Sequence, residues 1–189
     1  GRSIFLRFPS VGATCNVILA AARASGKTVI SNCAKEPEIV DLANLMSEMG
    51  IKVIGAGSDK IIIYGAEKTT CHVTHEVISD RIETGVFLTA VSITGGEAVI
   101  KNCVPYHSYP LLSVLERAGI KIESGDSEIY VRGSDQIRPM KVTTMPFPGV
   151  ATDMQPLLTV LALKADGESQ ITDLVFPDRF SYIYELKKM

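Results

Sequence analysis

The chain repeats itself at a period of about 70 residues, and this constrains its fold more than any other feature. Copies open at Gly26, Gly96 and Gly167. The first reads GKTVISNCAKEPEIVDLANLMSEMGIKVIGAGSDKIIIYG to Gly65, and the second reads GEAVIKNCVPYHSYPLLSVLERAGIKIESGDSEIYVRG to Gly133. The third, GESQITDLVFPDRFSYIYELKKM, reaches Met189, where the earlier copies continue into Gly50 and Gly119, and is expected to be cut inside the repeat. A module of this size cannot bury its apolar face alone, so the copies are expected to stack or to close into a ring.

The hydrophobic pattern gives each copy the same order of elements. ATCNVILAAARASG, ETGVFLTAVSITGG and ATDMQPLLTVLALKADG each read as a helix closed by glycine. Short β-branched runs follow (TVIS, AVIK, SQIT), then second helices, EPEIVDLANLMSEMG and YHSYPLLSVLERAG. GIKV or GIKI and then IIIYG or IYVRG complete a unit of helix, strand, helix, strand, strand. Glu36, Pro37 and Glu38 suit the start of a helix. Ile39, Leu42, Leu45, Met46 and Met49 form an apolar face at helical spacing, repeated by Leu111, Leu112, Leu115 and Ala118. These helices are expected on one face of small mixed sheets.

Several function classes are disfavoured by composition. Lys and Arg are scattered, the formal charge is −2, and aromatics make up 6% with no Trp, so neither a basic stripe nor a base-stacking platform is available for nucleic acid. No apolar run approaches the ~20 residues that span a bilayer, and GRSIFLRF is too short and too interrupted for a signal peptide, which leads to an expectation of a cytoplasmic protein without membrane contact. Cys15, Cys33, Cys71 and Cys103 show no metal spacing; Cys33 and Cys103 share one slot of successive copies and read as small buried thiols. His72 and His75, on the alternating stretch CHVTHEV, are expected to point to opposite faces of a strand and not to share a metal.

Three loops feed helix N-termini at equivalent points: FPSVGAT (Phe8 to Thr14), ISDRIETG (Ile78 to Gly85) and FPGVATDMQ (Phe147 to Gln155). Exposed first-turn amides and a positive dipole end suit anions, and glycine lets a ligand approach the backbone. The plainer reading is that Pro and Gly turn the chain into a helix. The polar stretch before Asp80 breaks the match between copies and marks a boundary near residues 66 to 79.

PSVGAT at Pro9 to Thr14, KEPEIVDLANLM at Lys35 to Met46, DRIETG at Asp80 to Gly85 and FPGVATDMQ together resemble the UDP-N-acetylglucosamine 1-carboxyvinyltransferase (enolpyruvyl transferase) family, in order along essentially the whole chain. The resemblance implies an α/β (α+β) fold of repeated units from an inside-out α/β barrel, here incomplete. Residues 1–66 would be the last unit of a first domain, 67–82 the interdomain crossing, and 83–189 one and a half units of a second domain. It further implies transfer of the enolpyruvyl group of phosphoenolpyruvate to the 3-hydroxyl of UDP-N-acetylglucosamine, with phosphate released, in peptidoglycan precursor synthesis. Such addition and elimination needs a base, an acid and fixed positive groups; no cofactor or metal is implied.

By the same resemblance Asp153 is the candidate base, and Thr152, Val175 and Arg179 lie near the sugar nucleotide. Ser10, Val11 and Gly12 surround the uridine diphosphate, while Glu36, Glu38, Asp80, Arg81 and Glu83 line the cleft between domains. Read as ordinary structure, Asp153 and Thr152 cap a helix, Val175 ends a strand in the core, Arg179 is a surface charge on a helix, and the acids cap helices or pair with cations. The family's general acid and phosphoenolpyruvate clamp match no segment of this chain, and no cysteine sits in the acid's motif. The chain is therefore expected to be inactive without the missing segments of the same enzyme. A transferase of this fold acting on another acceptor, such as shikimate 3-phosphate, and a noncatalytic repeat scaffold remain open at this level.

Overall fold

The computed structural model describes residues 1–70 and 72–189, so Cys71 lies outside the described residues. The chain forms two compact units, Gly1–Ile78 and Ser79–Met189. In the first, β1 (Ser3–Phe5), α1 (Val11–Ala21), β2 (Lys27–Ser31), α2 (Pro37–Glu48), β3 (Lys52–Ile54) and β4 (Lys60–Tyr64) follow in order. In the second, α3 (Arg81–Thr94), β5 (Glu97–Lys101), α4 (Pro105–Arg117), β6 (Lys121–Ser124) and β7 (Glu128–Arg132) repeat the pattern, followed by β8 (Lys141–Thr144), a 3-10 turn at Thr152–Met154, α5 (Gln155–Ala162), β9 (Gln170–Asp173) and α6 (Tyr182–Leu186). The helix, strand, helix, strand, strand order thus appears twice in full.

Each full copy folds its last strand back between the other two. β4 runs antiparallel to β2 (Thr28 opposite Ile63) and to β3 (Val53 opposite Ile63), and β7 runs antiparallel to β5 and β6 in the same way. Alternation explains the core: Ile61 and Ile63 on β4, and Ile129 and Val131 on β7, are fully buried, while the residues between them are half-buried. They face Ile18, Ile39 and Met46 in the first unit, and Leu88, Leu111 and Leu115 in the second. A strand ahead of the first helix adds a parallel partner in two places, β1 on β2 and β8 on β9. The three sheets have four, three and two strands and stay separate, so the described residues form no closed ring.

Close approach at the end of each copy requires glycine. Gly65 and Gly133 donate their amides to the carbonyls of Gly26 and Gly96, the residues that open the same copies. A Cβ on Gly65 would overlap the Ala24 carbonyl oxygen, and one on Gly133 would sit 2.7 Å from Gly95 Cα and 2.8 Å from the Val91 oxygen. In both cases the obstruction is backbone at the end of the first helix, which cannot rotate away.

Two sequence expectations about the elements change. Of the three helices that lead into the copies, α1, α3 and α5, only α3 is closed directly by glycine, with Gly95 in the left-handed region at φ 73°. α1 ends at Ala21 and α5 at Ala162, and each chain then turns through several residues before Gly26 or Gly167. The expected strand around His72 and His75 is absent; residues 72–80 are irregular, and 72–78 belong to the first unit.

That segment is fixed by a charge arrangement. His75 Nε2 lies 3.1 Å from Asp41 Oδ1 and its Nδ1 lies 3.1 Å from Glu48 Oε1, both carboxylates being on α2. A neutral imidazole has one N–H, so two carboxylate partners require the cation. The bond to Glu48, with that to Asp41, raises the pKa above 6.5 despite opposing desolvation. A pKa raised on folding contributes stability that is complete below the unfolded value and lost as pH rises through the folded one.

Two measurements check these features. G65A and G133A are each expected to destabilise by on the order of 1–3 kcal/mol in urea unfolding, whereas substitution at exposed Gly12, where a Cβ meets nothing within 4 Å, is expected to cost far less. The thermal midpoint of the first unit is expected to hold up to about pH 6.5 and fall above it, and H75Q is expected to remove that step. A wild-type midpoint that is flat from about pH 6 to 8.5 contradicts the charge tie.

Candidate functional site

The residues singled out in the sequence fall into one group in each unit. In the first, Ser10 is the N-cap of α1: its Oγ accepts from the Ala13 amide at 3.2 Å. Thr14 Oγ1 donates back to the Ser10 carbonyl at 2.8 Å and accepts from the Ala34 amide at 3.0 Å, which ties the start of α1 to the loop before α2. Val11 and Gly12 occupy the first turn, where amides have no intrahelical partner, and no acidic side chain stands there. Gly12 is exposed with open space where a Cβ would be, so the protein's own packing does not demand glycine. The turn is arranged as an anion site would be.

Glu36 and Glu38 stand at the start of α2, Glu36 buried at the N-cap position and Glu38 half-buried in the first turn. Burial, then the charges of Glu38 and Glu36, push the Cys15 thiol up. Glu36 and Glu38 thus lie close enough to Cys15 of α1 for their charges to act on its thiol. Cys33 is fully buried and Cys103 nearly so, and burial is again the largest influence raising their pKa values. None of these three thiols is an activated nucleophile.

In the second unit Asp80 repeats the role of Ser10. Its Oδ1 accepts from the Ile82 amide at 2.7 Å and the Glu83 amide at 3.3 Å, and Thr84 Oγ1 donates to its carbonyl at 2.9 Å. Capping by Asp80 accounts for its place in DRIETG. The final glycine of that motif has a separate use. Gly85 is buried, and a Cβ on it would lie 2.9 Å from Leu111 Cδ2 and closer still to Met154 Sδ, so α3 packs directly against the turn that carries Thr152 and Asp153. Arg81 adds its guanidinium 5.9 Å from the Phe147 ring centre. DRIETG and FPGVATDMQ are thereby brought together.

The third loop does not repeat the capping of the other two. Neither Thr152 nor Asp153 caps α5; they lie in a 3-10 turn with no side-chain cap bond. Thr152 Oγ1 instead donates to Asp173 Oδ2 at 2.5 Å. Asp153 points outward, half-exposed, and pairs with Arg179 Nη1 at 3.0 Å. Arg179 is not on a helix as expected but in a tight turn before α6, because the Asp173-anchored turn and Phe180 precede the helix start at Tyr182. The same Nη1 lies 3.3 Å from Thr152 Oγ1, and the guanidinium stacks 4.5 Å from the Phe176 ring centre. Val175 follows β9 in the turn, half-buried, with its amide donated to Asp173 Oδ1 at 2.8 Å. Thr152, Asp153, Val175 and Arg179 therefore form one cluster.

Asp173 is the member that the motif reading missed. It is 4% exposed and also accepts from the Phe176 amide at 2.7 Å. Burial pushes its pKa up, but the bonds from Thr152 and from the Phe176 and Val175 amides prevail and hold it below the ordinary carboxylate value. Thr144, opposite it on β8, adds to the lowering, although its hydroxyl falls short of hydrogen-bond geometry. The signal lay in the repeat: six residues after the opening glycine stand Asn32, Asn102 and Asp173. Gln155 was also passed over; it is fully buried, and neither end of its amide has a partner among the described residues. No group of three or more His, Cys, Asp or Glu among the described residues is arranged to hold a metal, and no described helix is long and apolar enough to cross a membrane.

Capping gives a stability test separate from any chemistry. D80A is expected to cost about 1 kcal/mol in denaturant unfolding, and D80N to recover most of it, because asparagine also caps. Equal losses for the two variants contradict the capping role.

Comparison with known proteins agrees with the architecture. The chain is 45% identical over its whole length to UDP-N-acetylglucosamine 1-carboxyvinyltransferase 2 of Geobacillus kaustophilus, covering 44% of that protein. It is 47% identical, again over its whole length, to the protein of the same name from Staphylococcus saprophyticus, covering 45% of it. The chain thus spans less than half the length of these curated relatives. The crystal structure of the enolpyruvyl transferase NikO from Streptomyces tendae superposes with a TM-score of 0.86 over 98% of this chain and 47% of that one, at 24% identity, so the fold is shared. The model of the EPSP synthase (3-phosphoshikimate 1-carboxyvinyltransferase) family matches residues 1–189, and the chain belongs to that family.

Proposed function

We propose that this chain forms part of an enzyme that transfers the enolpyruvyl group of phosphoenolpyruvate to the 3-hydroxyl of UDP-N-acetylglucosamine, in the cytoplasmic synthesis of peptidoglycan precursors. The observation that carries this reading is the identity of 45–47% over the entire chain with proteins named for that activity. The site geometry supports it. A half-exposed carboxylate held by an arginine stands beside a buried hydroxyl and carboxylate, and the start of α1, capped by Ser10 at the Ala13 amide, still has the Val11 and Gly12 amides without an intrahelical partner for a diphosphate.

In the proposed reaction the sugar oxygen adds to C2 of phosphoenolpyruvate while the methylene carbon takes up a proton. Loss of that proton and of phosphate then restores the double bond. Asp153 accepts the hydroxyl proton, and for this its pairing with Arg179 must loosen or shift to the substrate. Ser10, Val11 and Gly12 bind the uridine diphosphate, and Thr152, Val175 and Arg179 contact the sugar nucleotide. Glu36, Glu38 and Asp80 shape the surroundings of these contacts. No residue of this chain is assigned the general acid or the phosphoenolpyruvate clamp, and turnover is assigned to a protein of the relatives' full length.

The test uses this sequence within a protein of that length. Calorimetric titration with UDP-N-acetylglucosamine is expected to show saturable binding, and D153N to keep binding within a few-fold while phosphate release from phosphoenolpyruvate falls by at least ~100-fold. No binding at millimolar ligand removes the acceptor assignment. Full turnover by D153N removes the base.

A further inference from the structure

The slot six residues after each opening glycine holds Asn32, Asn102 and then Asp173, and the change from amide to carboxylate has a chemical consequence. Asn32 and Asn102 adopt φ 55°, and Asn32 Nδ2 donates to the Leu6 carbonyl at the end of β1. A carboxylate cannot donate, so Asp173 reverses the role and gathers three donors: Thr152 Oγ1 at 2.5 Å and the Val175 and Phe176 amides at 2.8 and 2.7 Å.

Those bonds decide where Arg179 points. Thr152 has one hydroxyl proton, and giving it to Asp173 leaves only lone pairs on Oγ1 to face Arg179 Nη1, 3.3 Å away. Arginine has no acceptor, so a hydroxyl proton facing it would repel it. The second support of Arg179 is the Phe176 ring, 4.5 Å away, and Phe176 is itself held through its amide by Asp173 Oδ1. Both supports trace to one carboxylate, and the third contact of Arg179 is Asp153 Oδ1 at 3.0 Å.

We infer that Asp173 is the positioning residue of this site: its buried carboxylate orients the Thr152 hydroxyl and the Val175–Phe176 turn, and through both aims Arg179 at Asp153. Asp173 itself is 4% exposed and acts through these neighbours. Its effect on turnover rests on the function proposed above; its effect on Arg179 does not.

D173N separates the two supports. The amide oxygen can still accept from the Val175 and Phe176 amides, but the amide nitrogen donates to Thr152 Oγ1 and turns the hydroxyl proton toward Arg179. T152V removes the hydroxyl without touching the turn, and T152S restores it. The first arm uses this chain without substrate: side-chain nitrogen–proton NMR of Arg179, assigned by its loss in R179K. Restricted guanidinium rotation is expected in the wild type and T152S, and its loss is expected in D173N and T152V. Identical Arg179 signals in the wild type, D173N and T152V overturn the inference, as would rotation already unrestricted in the wild type.

The second arm measures transfer in the protein of the relatives' length. D173N and T152V are each expected to lower kcat/KM for UDP-N-acetylglucosamine about 10- to 100-fold, with the double variant no worse than the weaker single one. Additive losses, or none, count against a shared path through Arg179. A wild-type protein without turnover defeats the proposed function alone, because the NMR arm still decides the positioning of Arg179.

Discussion

The return of the last strand between the first two, sealed by a glycine amide on the opening carbonyl, is the constraint on which the molecule depends. Gly65 on Gly26 and Gly133 on Gly96 close each copy at the point where the first helix ends, and only residues without a Cβ fit there. With the copy closed, β4 and β7 are central strands, and their alternate residues Ile61, Ile63, Ile129 and Val131 become the floor of each core. The loops that carry the candidate site residues are the connections into the helices that cover this floor.

The same local device serves different ends in different copies. Ser10 with Thr14 and Asp80 with Thr84 cap α1 and α3 by one geometry: a side-chain oxygen receives first-turn amides and a threonine hydroxyl returns to the cap carbonyl. The third loop gives that up. Thr152 spends its proton on Asp173, α5 starts through a 3-10 turn without a side-chain cap, and Asp153 is left outward with Arg179 as its partner. A side-chain cap is thus absent at the loop where Thr152, Asp153, Asp173 and Arg179 converge.

Much of the fold was legible because the repeat supplied two readings of every element. The α4 face of Leu111, Leu112, Leu115 and Ala118 is buried as its spacing required, and the slot of Cys33 and Cys103 is buried as its recurrence suggested. Legibility failed where a distant partner set the conformation. Glycines at Gly26 and Gly167 looked like helix stops, yet α1 and α5 end several residues earlier, where the chain must turn to reach the next strand. CHVTHEV alternates like a strand in sequence, but among the described residues 72–77 join no ladder, and His75 is held by Asp41 and Glu48 on α2. Arg179 sits in a turn because Asp173, six residues earlier, captures two successive amides.

By itself the sequence determined the repeat, the order of elements, the apolar faces and the motifs that carry the family resemblance, because these are written in local periodicity and spacing. Only the tertiary structure decided that Gly85 packs DRIETG against the turn bearing Thr152 and Asp153, and that Asp173, unremarkable in its motif, is the acceptor on which Thr152 and the Phe176 turn converge. The physical reason is the same in both cases. A close approach or a buried acceptor acquires its role from atoms far away in the chain, and spacing along the sequence carries no record of which atoms those are.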